Sequence, residues 1–149
     1  MKIFNYALIL ASLLLSNTLL ANTLTVDNAY VRATPPHAQN SAAFMVISNS
    51  SEQNINLVSA SSDIAERVEL HTHIMQDGLM KMRQVAKIEV PAKQQAILQP
   101  GGLHIMFIGL KEDLKENKSV IVKLLFDNGE EMTINAPIKK TVMHKNKTN

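Results

Sequence analysis

The sequence has 149 residues, 46% hydrophobic and 19% charged, which suits a single folded domain and is too weakly charged for a disordered chain. With 15 Lys and Arg against 13 Asp and Glu, and only six aromatic residues in all (2 Tyr and 4 Phe), there is neither a basic surface for a phosphate backbone nor a base-stacking platform, so nucleic acid is excluded as a partner. The chain has no cysteine, which removes disulfides, thiolate zinc sites, iron-sulfur clusters, cysteine nucleophiles, blue-copper centres and lipid attachment at a cysteine.

At the start, Lys2 precedes an apolar stretch from Ala7 to Leu15, then Ser16, Asn17 and Thr18, and then Leu19, Leu20 and Ala21. This is the pattern of a secretory signal with a small residue at the cleavage point. The polar interruption falls short of the roughly 20 apolar residues that a membrane-spanning helix needs. Residues 1–21 are therefore expected to be a signal peptide removed after Ala21, leaving a periplasmic domain over 22–138 and no membrane span in the mature chain.

From Leu24 onward, short β-rich runs recur between turn residues and no helical spacing is sustained. The expected strands are Leu24 to Arg32, Ala42 to Ser48, Ile55 to Ala60, Arg67 to Thr72, Leu79 to Val90, Gln95 to Leu98, His104 to Leu110, Ser119 to Phe126 and Glu131 to Ala136. Pro35-Pro36, Asn49-Ser50-Ser51, Asp77-Gly78, Pro91, Pro100-Gly101-Gly102 and Asn128-Gly129 separate them, as turn chemistry requires. The pattern predicts an all-β sandwich or Greek-key barrel. The last segment, 139–149, carries four lysines and no acid and is expected to be a mobile basic tail. Its Met143-His144 pair is read as solvated.

Between residues 71 and 106 lie three of the five histidines (His71, His73, His104) and four methionines (Met75, Met80, Met82, Met106). Residues two apart on a strand share a face. His104 and Met106 therefore project together, opposite Ile105 and Phe107; Met80 pairs with Met82, opposite Lys81 and Arg83; and His71 pairs with Glu69, opposite Val68 and Leu70. Imidazole and thioether are neutral donors and thioether is soft, so two of each favour Cu(I). Burial also penalises the higher net charge of a Cu(II) site. In an oxidising compartment thiolate pairs would form disulfides, which thioethers cannot.

The spacing His71, ten residues, Met82, twenty-one residues, His104, one residue, Met106 resembles the ligand signature of the PCuAC family of periplasmic copper(I) chaperones. The likeness extends over AYVRATPP at 29–36, SAAFMVISN at 41–49, VELH at 68–71, GLMKMR at 78–83, VPA at 90–92 and PGGLHIMFIGLK at 100–111. The resemblance implies a cupredoxin-like β-barrel or sandwich, Cu(I) held by His71, Met82, His104 and Met106, and Met80 as an additional contact. It also implies delivery to the Cu-A subunit of cytochrome c oxidase, directly or through an intermediary thiol copper protein. Tyr30 stands where the family pattern leads one to expect Trp, and the tail lacks the His and Met enrichment of some members. The chain is expected to act as a monomer and not as an enzyme.

Two alternatives stay open on sequence alone. A copper buffer or store would use the same ligands. A zinc enzyme would instead use the three imidazoles of His71, His73 and His104 with an open fourth position, but it leaves the methionines without a role. His37 follows Pro35-Pro36 and is read as an exposed loop residue.

Overall fold

The computed structural model describes residues 22–140. The expected signal peptide, and the tail from residue 141 with Met143 and His144, lie outside the described residues. The alternating runs form ten strands: β1 (Leu24–Arg32), β2 (Asn40–Asn49), β3 (Ile55–Ser61), β4 (Ala65–Gln76), β5 (Leu79–Gln84), β6 (Ile88–Val90), β7 (Gln95–Leu98), β8 (His104–Leu110), β9 (Ser119–Phe126) and β10 (Glu131–Lys139). β9 displays the logic in its simplest form: Val120, Val122, Leu124 and Phe126 are buried while the intervening residues are exposed, as a strand with one solvated face requires.

Hydrogen bonding links the strands in the order β5-β4-β8-β2-β1-β10-β9-β3-β6, with β7 pairing to β2 beside that path. The sheet is mixed, because β1 runs parallel to β10 at Val31 and Ile138 whereas the other strand pairs are antiparallel. The path has two free ends, so the all-β fold is an open sandwich, folded over a core that includes Ile47, Leu57, Ile105, Phe107, Val122 and Phe126. That core is built without disulfides.

Two differences from the sequence expectation matter for the site. The run Leu79 to Val90 is two strands, with β5 and β6 at opposite ends of the order. No Gly or Pro marks the break; it is set by packing, since Ile88 and Val90 are buried against β3 while every residue of β5 is exposed. β4 also continues to Gln76, four residues past its expected end at Thr72, because its distal half pairs with β5. Asp77 (φ 54°) and Gly78 (φ 75°) close that hairpin, both in the positive-φ region that a two-residue type I′ turn demands. At the other end of the chain β10 includes Lys139, and Lys140 pairs with Glu116 at 2.9 Å, so the fold reaches two residues into the segment read as tail.

A bulge in β1 decides which side chains reach the outer face. The β1–β2 register shifts between Asp27 and Tyr30, where Asn28 takes φ 54°. Before the bulge, Leu24 and Val26 face the core; after it, Ala29 and Val31 do. Tyr30 is thereby turned outward and lies 5.2 Å, ring to ring, from Phe44. The position where the family pattern leads one to expect Trp is thus a packing position beside the site face.

Candidate metal centre

The strand register gathers the singled-out residues on one face of the sheet. Across β4 and β8, His71 is opposite His104 and Glu69 is opposite Met106. Across β4 and β5, His71 is opposite Gln84, His73 opposite Met82, and Met75 opposite Met80. Directly opposed residues share a face with Cβ atoms about 4.5–5.5 Å apart. His71, Met82, His104 and Met106 therefore project from three adjacent strands on the same side, while Leu70, Ile105 and Phe107 project into the core.

The two expected imidazole donors are prepared differently. His104 is 2% exposed and its Nδ1 lies 2.9 Å from the Gly102 carbonyl oxygen. A carbonyl only accepts, so Nδ1 carries the proton and Nε2 keeps its lone pair. His71 Nε2 lies 2.8 Å from Glu69 Oε2; the carboxylate accepts the Nε2 proton, so in the neutral ring Nδ1 carries the lone pair. Arg67 in turn reaches Glu69 at 3.4 Å. The free nitrogens, His71 Nδ1 and His104 Nε2, are both buried without a hydrogen-bond partner. Buried polar atoms are normally satisfied, and a histidine that donates one ring nitrogen to a carboxylate or carbonyl while presenting the other is the usual arrangement of a metal ligand. Together with the thioethers of Met82 and Met106 on the same face, these two nitrogens make a donor set that fits a soft, monovalent ion.

Burial favours the neutral form of His104. Burial pushes its pKa below the ordinary 6.5, the Gly102 carbonyl partly offsets this, and His73, His71 and Arg32 push the same way as burial. Phe44 lies 6.3 Å from the His104 ring and the Arg32 guanidinium 5.3 Å from the Phe44 ring, so the inner end of the face is lined by rings beneath a cation. Toward the β4–β5 hairpin the face opens to solvent, with Met82 44% and Met80 60% exposed.

Met80, expected beside the four, is one cross-strand pair farther from β8 and opposite Met75. Met75, which lies past the expected strand end at Thr72, is a β4 residue on the same face. Glu69 and Gly102 are the residues whose roles sequence reasoning missed: VELH displays the i, i+2 relation of Glu69 to His71, but not that the carboxylate holds the ring. His73 is also nearer the centre than expected, 5.1 Å from the His104 ring against 5.7 Å for His71, with Nδ1 3.3 Å from the Gly102 oxygen. Even so, among the described residues no three His, Cys, Asp or Glu side chains form a group able to hold a metal ion. The three-imidazole zinc reading needs such a group, and it leaves the thioethers of Met82 and Met106 on this face without a role. His37 is an exposed loop residue whose backbone N–H donates to Asp113.

Comparison with known proteins agrees with this fold. The model of the family described as "Putative lipoprotein LpqE-like" matches residues 24–138. A relative from Leifsonia xyli subsp. xyli, described as "Putative lipoprotein Lxx21020", is 30% identical over 115 residues, covering 76% of this chain and 68% of the relative. The solution structure of Cu(I)-DR1885 from Deinococcus radiodurans superposes with a TM-score of 0.66 at 34% identity, covering 82% of this chain and 83% of that one. The apo PCuAC domain from PmoF1 superposes with a TM-score of 0.69 at 23% identity, covering 80% and 95%, a likeness of fold.

Proposed function

The chain belongs to the LpqE-like family, and we propose that it is an exported, non-enzymatic copper chaperone of PCuAC type that binds one Cu(I) through His71, Met82, His104 and Met106 and delivers it to the Cu-A centre of cytochrome c oxidase. The observation that carries the reading is the pair of buried, unpartnered imidazole nitrogens, His71 Nδ1 and His104 Nε2, on the face that also bears the two thioethers. The copper(I)-bound form of a protein 34% identical to this chain supports the choice of metal. The family's lipoprotein description fits an exported protein, yet this sequence has no cysteine, so it offers no thiol for a lipid anchor. The reading takes residues 1–21 as the cleaved export signal and 22–138 as the copper domain.

In this reading the protein's work is coordination. Gly102 holds the His104 tautomer and Glu69 the His71 ring, so both nitrogens are ready as donors before metal arrives. Four neutral ligands leave a net charge of +1 around Cu(I), which a half-buried face tolerates better than +2. Thioethers hold Cu(I) less strongly than the paired thiolates of an apo Cu-A site, so transfer runs downhill to that acceptor. The test is anaerobic mixing of Cu(I)-loaded protein with an apo Cu-A domain. The reading expects copper to move to the acceptor; retention on the donor at equilibrium would make the protein a copper buffer.

A further inference from the structure

Met75 and Met80 oppose each other across the β4–β5 hairpin and are 71% and 60% exposed. They do not fill the core; Met45, at 1% exposed, does that. The hairpin's other face carries Ile74 and Leu79 together with charged and polar groups, with Lys81 on Asp77 at 3.8 Å and Arg83 on Gln76 at 2.8 Å. The face with Met75 and Met80 continues through His73 and Met82 to His104. Along it, exposure falls from the hairpin end to 44% at Met82 and 2% at His104.

We infer that Met75 and Met80 form a second, weaker Cu(I) site of two thioethers at the hairpin tip, through which the metal is taken up and released. This rests on the Cu(I) reading of the inner site. Successive pairs on one strand face are about 7 Å apart, and methionine's three rotatable bonds let its sulfur cover part of that distance. Movement is ligand exchange: a Cu–S bond to Met80 or Met75 forms as a bond to an inner donor breaks. Copper stays Cu(I), and no proton moves because thioether sulfur carries none. Two neutral thioethers without imidazole hold the ion weakly, which suits a transit site.

The test uses the mature protein with 13C-methyl methionine, titrated anaerobically with Cu(I) and followed by NMR, together with the rate at which excess bathocuproine disulfonate removes the first equivalent. The first equivalent is expected to shift the Met82 and Met106 methyls and the second those of Met75 and Met80. Met75→Leu keeps the exposed volume similar; it should leave the equilibrium affinity for the first Cu(I) within about twofold while slowing its removal about tenfold. Met75 and Met80 methyls that stay unmoved through two equivalents, or an unchanged removal rate in Met75→Leu, would overturn the inference and leave the inner site standing. Failure of the first equivalent to move Met82 and Met106 would overturn the inner site, and the inference with it.

Discussion

Individual side chains on this protein's outer face are set by their hydrogen bonds as much as by their identity. Glu69 accepts from His71 Nε2 at 2.8 Å, so Glu69→Gln, which is isosteric but uncharged, should lower Cu(I) affinity about 10- to 100-fold with little effect on folding, read by anaerobic competition against a Cu(I) chelator. An affinity equal to wild type would remove Glu69 from the site. His104 gives a pH signature in the apo protein. Its folded pKa is lowered, chiefly by burial, so just below the ordinary 6.5 the unfolded chain binds more protons than the folded one. Stability is therefore complete above that value and is lost as pH falls from it through the folded pKa. The urea midpoint of the apo protein should drop between about pH 7 and pH 5, and His104→Gln should lose that part of the slope. Equal slopes in the two proteins would assign the pH dependence to other groups.

Strands and turns carry those side chains to one place, and much of this was readable beforehand. β1, β7, β8 and β9 begin and end where the apolar runs and turn residues put them, and parity alone assigned His104, Met106, Met82 and Met80 to faces the structure confirms as common. What the sequence could not show was imposed by long-range pairing. The break at 85–87 has no local breaker; β4 extends because β5 is there to receive it; and the Glu69 contact is a rotamer choice within a strand. The β1 bulge is a further case, since Leu24 and Val26 alone would continue their period and send Tyr30 inward. Asn28 holds the bulge at φ 54°, a conformation that costs a β-branched residue about 1–2 kcal/mol. Asn28→Val should lower the stability by that amount in urea unfolding whereas Asn28→Gly should change it little. Equal destabilisation by both would mean that the side chain of Asn28, and not its backbone conformation, matters there.

Taken as one body, the sandwich has a core independent of its metal face: Phe107, Phe126, Ile47 and Leu57 are fully buried and none is a candidate ligand. The apo protein should therefore unfold cooperatively, unlike a zinc finger, whose metal supplies the folding energy. Its midpoint should rise with Cu(I) as binding linkage requires; a non-cooperative apo transition by calorimetry would refute the separation of core from site. The same separation lets the thioethers be removed cleanly. Met82→Leu and Met106→Leu keep similar volume and should each cost less than about 1.5 kcal/mol. Copper K-edge X-ray absorption on the anaerobically loaded wild type and on the Met82→Leu/Met106→Leu double variant then reads the donor set itself. We predict one Cu(I) with two nitrogen and two sulfur neighbours in the wild type, and loss of both sulfurs or of the copper in the double variant. A first shell of nitrogen and oxygen alone in the wild type, or two sulfurs persisting in the double variant, would show that the metal is held elsewhere.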